Sequence, residues 1–109
     1  MDAERIRGHL GMLLLTVLAA GPAHGYALSA ELRRRSGELL VVMEGSLYPA
    51  LHRLELQGFI LSEWGHAATG HRAKYYRLST AGRKSLAQEE SRWARMVEAI
   101  GLVLAPTES

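Results

Sequence analysis

The chain has no cysteine among its 109 residues, which excludes a disulfide framework and a thiolate zinc site and is compatible with a reducing cytoplasm, the location expected here. It also lacks a long apolar run. The most hydrophobic stretch, Leu10 to Ala20, follows Glu4, Arg5 and Arg7 and is too short to cross a bilayer. Gly21-Pro22-Ala23-His24-Gly25 interrupts it and more helical sequence follows, so neither a signal peptide nor a membrane partner is expected. There is little excess of either charge: the formal net charge is +2, so an anionic partner must be met by a local patch rather than by the field of the whole molecule. Serine, histidine and glutamate are scattered, with no nucleophile elbow and no glycine-rich phosphate loop to organise them. Catalysis and a bound cofactor are therefore not expected. His66 and His71 fall on one loop without a third ligand, which reads as polar loop chemistry rather than a metal site.

What is present is globular: 48% of residues are hydrophobic and 22% charged, enough for one small core. The stretch from Glu44 to Leu61 organises the rest. Leu47, Leu51 and Leu54 recur at i, i+4 and i+7 with Ala50 beside them, an apolar stripe on a short helix. Pro49 belongs near a helix start, Ser46 is a candidate N-cap, and Gly58 is a natural residue to close the helix. Ser46, Tyr48, His52, Arg53 and Glu55 point away from the stripe. A ring, hydrogen-bonding groups and a cation crowded toward a helix N-terminus are what a recognition helix brings to a DNA major groove. An ordinary amphipathic helix would carry such a face too, so its neighbours must decide.

Upstream, Ile6 to Ala20 reads as a helix apolar nearly all round, either central to a core or shared between subunits. Gly21 and Pro22 stop it. A second helix runs from His24 or Gly25 to Arg35, with Tyr26, Leu28 and Leu32 as core contacts. Arg33, Arg34 and Arg35 at its end suit either DNA phosphates or a solvated helix C-terminus. After Ser36 to Met43 comes the third helix, completing a helix-turn-helix unit with a long turn. Beyond Gly58 the period changes to alternation: Phe59 to Trp64 and Arg72 to Leu78 read as strands of a β-hairpin, a wing bearing His66, His71, Arg72, Lys74 and Arg77. Cations there suit phosphate contact, or serve only to solubilise an exposed edge. Ser79 or Thr80 caps a last helix that runs to about Leu104. Leu86, Trp93, Met96, Val97, Ile100 and Leu104 form a seam along it, weaker at its start, where Glu89 and Glu90 intrude. A helix of some 25 residues is about 37 Å long, longer than a core of this size covers, so a second subunit is expected on the seam.

Gly21-Pro-Ala-His-Gly-Tyr26, Glu44-Gly-Ser-Leu-Tyr-Pro-Ala-Leu-His-Arg-Leu-Glu55, Ser62-Glu-Trp-Gly65, Lys74-Tyr-Tyr-Arg-Leu-Ser79 and Gly82-Arg83 together resemble the PadR-like transcriptional regulators, over nearly the whole chain. The resemblance implies a mainly α (α+β) winged helix-turn-helix domain over 1–78 with a two-stranded wing, then a C-terminal dimerisation helix and tail over 79–109, as in the family's short members. It implies a homodimeric, repressor-like protein on an inverted-repeat DNA operator. By position it assigns DNA contact to Ser46, Tyr48, His52 and Arg53 and to the wing residues Arg72 and Lys74. The wing departs from the family's unbroken basic run: Gly70-His71-Arg72-Ala73-Lys74 is less cationic. Resemblance also implies sensing of phenolic or drug-like compounds. Trp93, with Met96 beside it, is the expected wall for a small planar aromatic ligand near a dimer axis. The rival reading is a winged-helix module that holds a protein partner through Tyr48 and the wing.

Overall fold

The chain folds, in a computed structural model describing residue 1 and residues 3–107, around a single apolar helix. A 3-10 turn at Arg7–His9 leads into α1, Leu10–Leu18; β1, Ala23–His24, and α2, Gly25–Arg35, follow. Then come α3, Glu44–Leu56, β2, Ile60–His66, β3, Arg72–Leu78, and α4, Thr80–Leu104. The end of the expected tail, residues 108–109, lies outside the described residues.

Of the two readings open for α1, the core reading holds within the chain. Leu10, Leu14, Leu15, Val17 and Leu18 are buried against Leu28 and Leu32 of α2, the α3 stripe of Leu47, Ala50, Leu51 and Leu54, and Ile60, Tyr76 and Leu78 of the sheet. Each such leucine removed from water contributes roughly 1.5–3 kcal/mol, and this cluster fixes how α3 and the hairpin sit together. Tyr26 is a correction. It was expected in the core but is 81% exposed, because it stands in the first turn of α2, beyond the edge of the cluster that Leu28 and Leu32 reach.

The sheet has three strands, in the order β1-β3-β2 and antiparallel throughout: β2 and β3 make the expected two-stranded wing, and β1 adds to its edge. The added strand is two residues long, pairing Ala23 with Tyr76 and His24 with Tyr75. It binds the start of α2 to the wing. His24 then caps α2: its Nδ1 accepts the Ala27 N–H at 3.2 Å, which leaves the ring proton on Nε2.

The joints around α3 are set by local chemistry. The extended residue before the helix is Met43, so Ser46 lies inside the first turn and is not the N-cap. At the other end Gly58 adopts φ +78, which a residue with a Cβ resists, and a Schellman turn closes: Phe59 N–H donates to Leu54 O and Gly58 N–H to Glu55 O, both at 3.0 Å. Ser79 locks this turn to α4. Its hydroxyl donates to Gly58 O at 2.6 Å and accepts the Gly82 N–H at 3.0 Å, while its own N–H donates to Phe59 O at 3.1 Å. Gly82 lies so close that a Cβ there would run into the Phe59 carbonyl.

Only Gly82 and Leu86 of α4 are buried. Leu86 is 8% exposed, part of the chain's own core cluster, so it anchors the helix and has little surface left for a second subunit. Trp93 packs edge-on against His9, ring centres 5.0 Å apart. Beyond it Val97, Ile100, Leu102, Val103 and Leu104 are exposed, while Met96 is half-buried.

Candidate nucleic-acid interface

The hairpin register places the wing's chemistry. Trp64 faces Lys74, His66 faces Arg72 and Ser62 faces Tyr76, so these six share one face of the sheet. That face turns toward α3. Glu55, on α3, accepts a short hydrogen bond from the Ser62 hydroxyl and pairs with Lys74 Nζ at 3.5 Å. The hydrogen bond from Ser62 and, beyond it, the Lys74 charge hold the Glu55 carboxyl below the usual carboxylate range, although partial burial opposes them. Burial, with the Glu55 charge, pushes the Tyr76 phenol up, so that ring stays neutral. Lys74 Nζ lies 5.8 Å from its centre. Arg72 is held differently: its guanidinium stacks over the Trp64 ring, 4.3 Å from the centroid, and no carboxylate among the described residues meets it.

On α3, Tyr48, His52 and Arg53 are exposed and Ser46 is half-buried. Tyr48 projects from the helix toward the start of α2, where a Cβ on Gly25 would come within 2.6 Å of the Tyr48 hydroxyl oxygen; the backbone there makes room for the ring. Tyr48 and the wing cations Arg72 and Lys74 line the same groove. Ser46 and Arg53 line a separate small cleft with Glu4 and Arg7. Five of the six expected residues thus fall into two sets, a ring-and-cation set shared by α3 and the wing and an α3–N-terminal set around Arg53, while His52 is exposed and lines neither cleft.

Three groups that bear on this face were not singled out for it in the sequence. Trp64 carries the Arg72 stack and Tyr26 lines the same groove, while Glu55 moderates Lys74. Trp64 and Arg72 are near-neighbours across any hairpin joined by a loop of this length, so that contact was within reach of the alternation pattern.

The arginine run at the end of α2 has another character. Arg34 and Arg35 both bind Glu31, Arg35 at 2.9 Å, and Arg33 makes a short bond with Glu38. Hydrogen bonds from Arg34 and then Arg35 draw the Glu31 carboxyl down to about 2. These three cations are engaged within their own helix end, which favours the solvated-cap alternative over phosphate contact.

No helix among the described residues is long and apolar enough to cross a membrane. The described histidines and carboxylates nowhere gather in a group of three that could hold a metal ion.

The chain is similar to known regulators over most of its length. The model of the transcriptional regulator PadR-like family matches residues 14–88. The transcriptional regulator Rv3488 of Mycobacterium tuberculosis is 35% identical over 83 residues, 76% of this chain and 74% of that protein. A transcriptional regulator from Clostridium thermocellum superposes with a TM-score of 0.85 at 32% identity, covering 94% of this chain and 99% of its own. A PadR family transcriptional regulator from Eggerthella lenta does so with a TM-score of 0.82 at 35% identity, covering 95% and 88%. The motifs that run from Gly21 to Arg83, the winged helix they build and these relatives agree: the chain belongs to the PadR-like family of transcriptional regulators.

Proposed function

We propose that the protein binds an inverted-repeat DNA operator as a homodimer and represses the genes it controls. The observation that carries this reading is the shared face of α3 and the wing, where the exposed Tyr48 stands beside Arg72 and Lys74 across one groove. In this arrangement α3 enters the major groove, Tyr48, His52, Arg53 and Ser46 meet base edges and adjacent phosphates, and the wing holds the flanking backbone. Two such helices must lie about 34 Å apart to reach successive major grooves, which calls for a second copy of the chain.

The distal half of α4 supports that copy. Trp93, Val97, Ile100 and Leu104 recur on one stripe, with Met96 beside them, and the last two are 51% and 77% exposed in the single chain. An apolar stripe of this kind at the end of an arm is what a two-fold partner covers, each residue counting twice.

The test is a fluorescence-anisotropy titration of the DNA flanking the protein's own gene at several salt concentrations. Specific binding whose affinity falls steeply with salt supports the reading, because phosphate contact releases counterions. Absence of binding, or weak binding indifferent to salt, overturns it in favour of a protein-interaction module.

A further inference from the structure

The wing is poor in cations for a surface that meets phosphate. Ala67, Ala68, Thr69 and Gly70 at its tip carry no charge, and Ala73 separates Arg72 from Lys74. Lys74 is partly cancelled by Glu55, 3.5 Å from its Nζ. On the face turned toward α3, Arg72 is the cation that keeps its full charge, since no carboxylate among the described residues pairs with it. A long exposed side chain ordinarily samples many rotamers, and ordering it on a phosphate costs side-chain entropy. Here the ordering exists beforehand. Trp64 pairs with Lys74 and His66 with Arg72, so Trp64 and Arg72 are diagonal neighbours on one face, within reach for a large ring and a long side chain. The guanidinium lies over the Trp64 ring, 4.3 Å from its centre. Its N–H donors lie in its own plane, so a stack on its flat face leaves them for another partner.

We infer that Trp64 is a positioning residue for DNA binding: it holds Arg72 ready for a backbone phosphate, so that one ordered cation stands in for part of the basic run this wing lacks. The inference rests on the proposed DNA binding and adds a residue to it. Trp64 itself touches neither base nor phosphate in this role. Stack and phosphate contact are compatible, because the first uses the face of the guanidinium and the second its edge, where two parallel N–H···O bonds form. A tryptophan that served only to pack the hairpin would be buried. Trp64 is 59% exposed and takes no part in the core cluster, so the Arg72 stack is what its ring is seen to do.

The test is a double-mutant cycle read by anisotropy on the DNA flanking the protein's own gene, at several salt concentrations. Trp64→Leu keeps an apolar side chain but loses the π face. It should weaken binding about threefold per wing, hence about tenfold for the two wings of the proposed dimer, with the salt slope unchanged because Arg72 still reaches its phosphate. Trp64→Tyr keeps a ring and should stay within about twofold of wild type. Arg72→Ala should lower the slope by about one unit per subunit, and adding Trp64→Leu to it should change nothing further. In the DNA-free protein, the Arg72 side-chain protons should be shifted upfield by the ring and return to ordinary values in Trp64→Leu. Trp64→Leu without effect in a protein that does bind DNA overturns the positioning role alone. So does an equal loss in the presence and absence of Arg72, which would mean that Trp64 shapes the hairpin. Unshifted Arg72 protons in the wild type overturn the stack. A wild-type protein without salt-dependent DNA binding overturns the DNA reading, and the positioning role with it, even where the NMR shows the stack intact.

Discussion

Two sets of cations, the run at the end of α2 and the separate cations of α3 and the wing, differ in what holds them. Arg33, Arg34 and Arg35 are contiguous and look the more basic, yet each is held by Glu31 or Glu38 within its own helix end. Arg53 and Arg72 are isolated in sequence, and neither has a carboxylate within ion-pair distance among the described residues. Lys74 is intermediate, paired with one carboxylate at 3.5 Å. The count of arginines thus says little about where an anion binds. What matters is whether a carboxylate comes within reach, as Glu31 does from one turn back for Arg34 and Arg35, Glu38 for Arg33 and Glu55 for Lys74.

This contrast can be broken at several points. The largest effect should come from halving the α3–wing cluster by removing the proposed second subunit. Ile100→Asp places a charge on the exposed stripe and should give a monomer in sedimentation, with operator affinity down about a hundredfold and roughly half the salt slope. A folded Ile100→Asp protein that still sediments as a dimer removes the stripe from the interface. Next is the moderated cation. Glu55→Gln keeps an acceptor for Ser62 but frees Lys74, so DNA should bind about threefold tighter at low salt, with the advantage fading at high salt. Weaker binding would mean instead that the Glu55 link between helix and wing matters more than the charge it cancels. Smaller still, Arg34→Ala should change DNA affinity less than about twofold, since that guanidinium is already taken by a carboxylate in an exposed pair.

The smallest effect is a stability change with pH. Glu31 titrates at about 2 against an ordinary 4.5, so its ion pairs stabilise the folded state fully above 4.5 and are lost as pH falls toward 2. Urea unfolding of Glu31→Gln should differ from wild type most above pH 4.5 and converge with it near pH 2. A constant gap across that range would contradict the pairing.

Much of the fold was readable because one signal dominated each element. The leucines of α3 recur at helical spacing and are buried, and Gly58 ends the helix in the left-handed conformation expected of it. The start of β3 at Arg72 and the cap of α4 at Ser79 fell where alternation and hydroxyl chemistry placed them. What escaped depended on tertiary pairing. Ala23–His24 is too short a strand to show alternation, and it exists only because β3 offers it an edge. Tyr26 has a core-like side chain in a helical pattern, but its position in the first turn puts it outside the cluster, where the groove uses it. Ser46 has cap chemistry, yet the chain turns extended three residues earlier, at Met43. Leu86 fits the period of the α4 seam and is claimed by the core of its own chain instead. For the face itself, Tyr48, Arg72 and Lys74 were legible by type and position, whereas Glu55's hold on Lys74 required the hairpin register to bring Ser62 and Lys74 over the helix.

The most direct test compares the salt dependence of DNA binding in two multiple variants of the protein. One is Arg72→Ala with Lys74→Ala; the other replaces Arg33, Arg34 and Arg35 by alanine. If the α3–wing face carries the phosphate contacts, the log–log slope of affinity against salt falls by about two units per subunit in the first and is unchanged in the second. A slope that survives the wing substitutions and collapses with the α2 substitutions would contradict this account of where the DNA lies.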